Sequence, residues 1–441
     1  LGMPGVLPVI NKAAVEMAML VGLALGCRIN RFTKWDRKSY YYPDLPKNYQ
    51  ISQYDLPLCF KGEFDLTTED GSKKIRIRRA HLEEDAGKLL HEEPGGYPID
   101  WTIVDLNRAG TPLLEIVTEP DLSSATEVSI FARELQRLVQ FLGISPAQMQ
   151  MGHMRFEPNI NVHITDQSGS VHKTAITEVK NLNSFSVLER ATDYEIARQL
   201  QLWTQTGSLG RKSTMGWDES RAATFLQREK EEAQDYRYFP DPDLVPVEVD
   251  DAWLARVKAE IGELPAARRK RYVETIGLSS TDAAILTDDR ATGDFYERAV
   301  AAGADARRVS NLILSHGKRL SNEKSRPLVE LGISPARFAQ VANLIDSSKL
   351  SASAAGQVFD QLVGDDQDPE QLARRLGLMQ VSDTSVIDAA IDRLLSTNPK
   401  PLQDYRAGKQ TALSALVGLL MRHEKGLNPK LVQDRLKTKL R

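Results

Sequence analysis

Cysteine is scarce in this sequence. Its 441 residues include only Cys27 and Cys59, far apart and without a partner at metal-ligand spacing. That excludes a disulfide framework, and a reducing, cytoplasmic setting is expected. Long apolar stretches are missing too: no run of about 18 apolar residues occurs, so no membrane-spanning helix is read from the sequence. The segment Ala13 to Leu25 is apolar but carries Glu16, which predicts a buried helix rather than a leader. Nor does charge of one sign dominate. With a net charge of -3, any nucleic-acid surface must be a local patch. Common catalytic signatures are absent as well: no G-x-x-x-x-G-K-[ST] loop, no G-x-G-x-x-G after a strand, no G-x-S-x-G elbow and no H-E-x-x-H pair. A nucleotide, if one is used, must be held in a less common way, such as through metal-bridged phosphates on carboxylates of strands.

What is present is an ordinary globular composition, 41% hydrophobic and 27% charged. The length implies about two to four domains. Residues 1–245 read as mixed α/β. Helices are predicted at Asn11–Leu25, with Asn11 as N-cap, and at Ser124–Phe141. Strand signals are shorter: Lys74–Arg79, where Ile75 and Ile77 alternate with arginines; Thr102–Leu106; and Ile160, Val162 and Ile164 alternating with Asn161 and His163. Long polar connections, Tyr40–Pro57 and Glu92–Pro98, separate them, and such loops are often functional. From residue 250 to 347 the pattern is helical, with cap-like Ser, Thr, Asp or Pro at each start: Ala252–Ile261, Ala266–Ile276, Ser280–Leu286, Ala291–Ala302, Ala306–His316 and Pro335–Ser347. Residues 348–441 form a small helical tail cut by Gly364, Pro369, Asn398-Pro399 and Asn428-Pro429.

Candidate chemistry gathers in a few stretches. His81-Leu82-Glu83-Glu84-Asp85-Ala86-Gly87-Lys88 places charge at the end of an alternating strand, where metal ligands often sit; the plain alternative is a solvated turn. Glu115 stands alone in an apolar run, Thr111–Val117, and would be costly to bury unpaired; a salt bridge to Arg108 is one way out, and a metal is another. Glu157 precedes the next alternating strand. Oxygen ligands from several strands suit Mg²⁺. Asp105–Pro112 sets Asn107 and Arg108 around a glycine turn. Glu178–Phe185 leaves a strand and enters a helix at Asn183 or Ser184, with Lys180 and Asn181 just before it. That is a reasonable anion site, unless Ser184 is an N-cap alone. Lys38, beside Tyr40, Tyr41 and Tyr42, has the setting for a depressed pKa and for handling ammonia or a proton, or for a surface cation–π contact. At the other end, Arg422, Lys425, Lys430, Arg435, Lys437, Lys439 and Arg441 outnumber Glu424 and Asp434. A phosphate-contacting surface and a well-capped terminal helix fit this equally.

Together these stretches carry a resemblance. Tyr40–Asp55 (YYYPDLPKNYQISQYD), His81–Lys88, Asp105–Asp121 (DLNRAGTPLLEIVTEPD), Glu178–Phe185 (EVKNLNSF) and Asp235–Leu244 (DYRYFPDPDL), in this order, closely resemble the B subunits of the tRNA-dependent aspartyl/glutamyl-tRNA amidotransferases. The similarity extends over essentially the whole chain. It implies an α/β (α+β) catalytic cradle with a glutamine-synthetase-like sheet, then an all-α helical domain and a small helical tail domain that bind tRNA. It implies ATP and Mg²⁺ as cofactors, an amidase (the A subunit) and a small C subunit as partners, and tRNA(Gln) or tRNA(Asn) charged with Glu or Asp as substrate. The charged side-chain carboxylate would be phosphorylated and then amidated with ammonia from the amidase.

By motif position the resemblance implies that Glu83 and Glu115 are Mg²⁺ ligands, with His81, Glu84 and Asp85 lining the same site. Lys38 with Glu83 would form a polar gate for ammonia. Asn107, Arg108, Glu157, Asn159, Lys180, Asn181 and Ser184 would surround the nucleotide or aminoacyl end, and Lys425, Lys430, Arg435, Lys437 and Lys439 would contact tRNA. The family has a more N-terminal segment with Glu-Val-His that completes the metal site, and some members carry a zinc-binding cysteine group there; this sequence starts after both, so a metal site short of ligands is expected. Met215 stands where an Arg is usual, and Gln227 and Gln234 replace the usual Met and His near Glu231. Two other readings remain open on the residues: a non-catalytic tRNA-binding scaffold, and a free-standing carboxylate–amine ligase.

Overall fold

The computed structural model describes all residues except 1–6, 70, 94, 230–235, 366, 381–383, 399–408, 410, 425 and 441. Lys425, Arg441, Glu231 and Gln234 therefore lie outside the described residues. The chain divides into two compact units, Leu1–Leu264 and Pro265–Arg441.

The first unit begins with helix Lys12–Ala24, whose N-cap Asn11 accepts a hydrogen bond from the backbone N–H of Ala13. Val15, Met19 and Val21 of this helix are buried against an antiparallel four-stranded sheet, ordered Arg28–Ile29, Cys59–Thr68, Gly71–Glu84, Pro112–Thr118. Phe131, Leu135 and Leu138 of helix Ala125–Phe141 close the same core. Each such side chain contributes about 1.5–3 kcal/mol by leaving water. Gly62 lies where strand Cys59–Thr68 passes the end of the first helix: a Cβ there would stand 2.5 Å from the Leu25 carbonyl oxygen and from the Cys27 sulfur.

One irregularity in the long strand sets the direction of its far end. Ile75 and Ile77 face the core. Continued at period two, that pattern would send His81 and Glu83 inward as well. But the ladder slips at Arg78, between the pairs Ile77–Thr118 and Arg79–Val117. Across from Arg78 on the other neighbour, Lys61 has a left-handed φ of 50°. Beyond this bulge Ala80 and Leu82 take over the core face, with Leu114 and Ile116 opposite them. His81, Glu83 and Glu115 are thereby turned to the opposite face.

A second four-stranded sheet, ordered Asn159–Ile160, Thr177–Lys180, Ser213–Asp218, Ala223–Glu229, contains one parallel pair, Thr177–Lys180 with Ser213–Asp218. Helix Phe185–Thr206 makes the crossover that such a pair requires. The alternating strand expected over 160–164 is broken: Ile160 stays in this sheet, while His163–Thr165 pairs in a hairpin with Val171–Lys173. A three-stranded sheet, Phe239–Pro240, Asp36–Ser39 and Tyr49–Ser52, completes the part that matters for chemistry.

Helix Asp251–Ala259 belongs to the first unit, not to the helical domain expected from residue 250. Val257 joins the first core, and the Trp253 indole N–H donates to Glu16 at 2.8 Å. The second unit is helical as expected. N-cap side chains Ser279, Asp289, Asp305, Ser334, Ser351 and Asp368 each accept a backbone N–H three residues on. The expected break at 347/348 is a turn between helices Pro335–Asp346 and Ala352–Leu362, because one core continues across it from Tyr272 to Ala373. Phe338 packs on both Phe295 and Phe359 inside that core. A separate core joins the described residues of the last helices, from Ile387 to Leu440. Punctuation by Pro, Gly and Ser marks turns, and which helices share a core is decided by their apolar faces.

Candidate active site

In strand Asp36–Ser39, Lys38 stands opposite Gln50 and Asp36 opposite Ser52 of strand Tyr49–Ser52. Residues directly opposite in an antiparallel pair share a face. Lys38, Gln50 and Ser52 of this sheet all reach Glu83, which projects from the long strand on the face that also bears His81 and, directly opposite it, Glu115.

Glu83 is buried yet well supplied with donors. Its Oε1 accepts from Ser52 Oγ at 2.8 Å and from Lys38 Nζ at 3.3 Å, and lies 3.4 Å from His81 Nε2. Its Oε2 accepts from Gln50 Nε2 at 3.1 Å. Burial alone would raise its pKa, but the His81 hydrogen bond, the Lys38 charge and the Ser52 hydroxyl outweigh that and hold the carboxyl well below the usual range. Glu115 goes the other way. Desolvation of its carboxyl and the Glu83 charge beside it raise its pKa, although its side chain keeps 45% of its surface open. Two neighbouring carboxyls are thus pushed apart: one is firmly anionic, the other takes a proton more readily.

Lys38 is 19% exposed at its side chain and sits 5.4 Å from the Tyr236 ring centre. The depressed pKa expected from its aromatic surroundings is not found. Burial would lower it, but the Glu83 charge outweighs burial and raises it, so Lys38 stays cationic. The same surroundings raise Tyr40 and Tyr238 to about 12 through burial.

One donor atom each from His81, Glu83 and Glu115 lies within 4.8 Å of the others. Among the described residues His81 Nδ1, which is buried, has no hydrogen-bond partner, an unusual state for an imidazole nitrogen. Two carboxylates on one face suit a hard divalent cation, and the imidazole adds a donor more typical of softer ones. The residues present fit a divalent cation.

The other candidates fall into separate groups. Glu84 is tied to Lys47 and to the Ile51 backbone N–H at 2.9 Å. Asp85 takes no part in the His81–Glu83–Glu115 group; it pairs with Arg155 at 2.5 Å and Arg108 at 3.2 Å. Arg108 also donates to the carbonyls of Ala86 and Gly87, so it is not the partner of Glu115. Gly87 is needed there, since a Cβ would lie 2.6 Å from the Asp105 carbonyl oxygen. Asn107 folds back on Asp105. On the second sheet, Lys180 bridges Glu157 at 3.2 Å and Glu178 at 3.9 Å, and Asn159 pairs with Glu178 in register. Asn181 follows with a left-handed φ of 65°, and Ser184 caps helix Phe185–Thr206 through Val187 N–H.

In the tail, Arg435 and Lys439 are engaged with Asp388, and Lys439 also with Asp392 at 2.6 Å. They fasten the last helix to helix Thr384–Thr397. Lys430 and Lys437 are exposed. Sequence reasoning does not single out Gln50, Ser52, Lys47 or Arg155. The first three lie in the Tyr40–Asp55 stretch, so a signal is present there, but only the side-chain contacts of this stretch with the long strand show their target.

The domain described as the GatB/GatE catalytic domain matches residues 1–255, and a GatB domain matches residues 294–440. Curated relatives named as the B subunit of aspartyl/glutamyl-tRNA(Asn/Gln) amidotransferase are similar along this chain. That of Moorella thermoacetica is 44% identical and that of Carboxydothermus hydrogenoformans 42%, each match covering 100% of this chain and 91% of the relative. That of Rhodopirellula baltica is 43% identical over 99% of this chain and 88% of the relative. The His81–Glu83–Glu115 face lies inside the matched catalytic domain, and the chain belongs to the family of aspartyl/glutamyl-tRNA(Asn/Gln) amidotransferase B subunits.

Proposed function

We propose that this chain activates the side-chain carboxylate of glutamyl-tRNA(Gln) or aspartyl-tRNA(Asn) with ATP and completes its amidation, working in the cytoplasm with an amidase (the A subunit) and a small C subunit. The observation that carries the reading is the meeting of Lys38 with the buried Glu83, beside His81 and Glu115.

The chemistry needs such a place. A carboxylate resists ammonia because it is anionic and lacks a leaving group. Transfer of the terminal phosphoryl of ATP to its oxygen supplies one, and ammonia then forms the C–N bond as phosphate departs. A divalent cation held by Glu83 and Glu115 would neutralise charge on the transferring phosphoryl group. Lys38 keeps its proton, so it contributes a fixed positive charge and anchors Glu83 rather than acting as a base. Tyr40, Tyr236 and Tyr238 form an aromatic wall beside Lys38. Such a wall limits the water that would hydrolyse the activated acid. The Glu157–Lys180–Glu178 group and Arg108 are the further polar residues for nucleotide and aminoacyl end, with Asn107, Asn159, Asn181 and Ser184 around them. The sheet bearing the carboxylates supports a cradle of the glutamine-synthetase kind. The helical second unit is the tRNA-binding part, with the exposed Lys430 and Lys437 among its cations.

In the assembled amidotransferase, Glu83→Gln and Glu115→Gln should each lower glutamyl-tRNA-dependent ATP hydrolysis at least about a hundredfold. Glutamine hydrolysis by the amidase should persist. ATP turnover at the wild-type rate in both variants overturns the assignment of the site.

A further inference from the structure

Gln50 is 6% exposed and engages both the oxygen and the nitrogen of its amide. Its Oε1 accepts from the Tyr40 hydroxyl at 3.1 Å. Its Nε2 donates to Glu83 Oε2 at 3.1 Å and to the Glu84 carbonyl at 2.6 Å. Both N–H donors of the amide are thereby used, and its oxygen accepts from a hydroxyl. A flipped amide would turn its oxygen onto two acceptors in a site with little water to relieve them. Only one orientation is available.

We propose that Gln50 is a positioning residue for the cation seat, fixing the rotation of the Glu83 carboxylate by holding Oε2. The inference rests on reading His81, Glu83 and Glu115 as that seat. Ser52 and Lys38 both hold Oε1, so without Gln50 the carboxylate is free to turn about a single anchored oxygen. Groups that orient a ligating carboxylate affect metal affinity about 10–100-fold when removed. The amide also ties the seat to the aromatic wall. Tyr40, which orients Gln50, packs edge-on against Tyr42 and Tyr236, and Lys38 lies over the Tyr236 ring. A shift of the wall is therefore felt at Glu83 through one side chain.

The test uses the assembled amidotransferase and Mn²⁺ as the probe ion. Calorimetric titration of Mn²⁺ reads affinity apart from catalysis, and the Mg²⁺ dependence of glutamyl-tRNA-dependent ATP hydrolysis reads it in turnover. Gln50→Met, similar in length but without donors, should weaken Mn²⁺ binding about 10–100-fold and raise the Mg²⁺ needed for half-maximal rate in parallel. The rate at saturating Mg²⁺ should change far less, a split that general loss of folded protein does not produce. Tyr40→Phe keeps Gln50 and its orientation but removes the hydrogen bond that steadies its Oε1, and should weaken Mn²⁺ about threefold. If Gln50→Met does not fold, the Tyr40→Phe result decides. Unchanged Mn²⁺ affinity in these variants, with binding lost in Glu83→Gln, overturns the role of Gln50 and leaves the seat standing. Unchanged Mn²⁺ affinity in Glu83→Gln overturns the seat and this inference together.

Discussion

Replacing Lys38 by Met removes the lysine ammonium that touches Glu83. At 3.3 Å and an effective dielectric of about 20, the lost attraction is about 5 kcal/mol. Two effects reduce the net loss. Lys38 no longer has to be stripped of water, and Glu83 keeps Ser52, Gln50 and His81. A net loss of about 2–3 kcal/mol at neutral pH is expected, just under the range for breaking a buried pair. The pH dependence follows from the sign of the shift. In the native chain Glu83 is held below the ordinary carboxylate range, so its charge stabilises the fold above that range and the contribution fades as pH falls through the folded value. Without Lys38 its pKa rises, and mild acid lets the buried carboxyl take a proton. The deficit should therefore be largest at about pH 7.5 and smaller at about pH 5. Urea unfolding of both chains in a metal chelator measures this. A deficit under about 1 kcal/mol at the higher pH, or one that does not shrink at the lower, would refute the idea that Lys38 compensates Glu83.

Other consequences are as direct. Phe338→Ala empties the centre of the main helical core, and a loss of about 3–5 kcal/mol in denaturant unfolding is expected; less than about 1.5 would mean that the core collapses onto the gap. Gly62→Ala drives a methyl group against the Leu25 carbonyl and should lower stability by at least about 1–3 kcal/mol, seen as a reduced melting temperature. Asp121, held down to about 2 by its hydrogen bonds to Arg76, should fasten the turn after strand Pro112–Thr118 above the ordinary carboxylate range and release it as pH falls through that value. Amide exchange at Glu119 and Asp121 reads that release, and Arg76→Gln should move it to higher pH. Lys430→Gln and Lys437→Gln should each flatten the log–log salt dependence of tRNA binding by about one unit; an unchanged slope in the double variant removes these lysines from the interface.

Much of the molecule is legible without coordinates. Local rules suffice for helices Lys12–Ala24 and Ala125–Phe141 and for the capped helices of the second unit, because each start is signalled by a Ser, Asp or Asn whose partner lies two or three residues away. The sequence also determined which residues are chemically out of place. Glu115 in its apolar run and the His81–Asp85 cluster are such residues, and the first long motif already holds Gln50 and Ser52, with Lys38 just before it. Yet the sequence offers Arg108 as a partner for Glu115, and the setting of Lys38 suggests a lowered pKa. Both differ in the structure for one reason: a side chain's charge partner is set across strands that are far apart in sequence.

Only the tertiary structure decided which way the cluster points. The alternation of Ile75 and Ile77, carried forward, would bury His81 and Glu83 among Leu114 and Ile116. The slip at Arg78, opposite the left-handed Lys61, reverses the two faces for the rest of the strand. It turns the carboxylates toward the small sheet that supplies Lys38, Gln50 and Ser52. A bulge is a property of paired strands, and one extra residue in a ladder exchanges inside for outside.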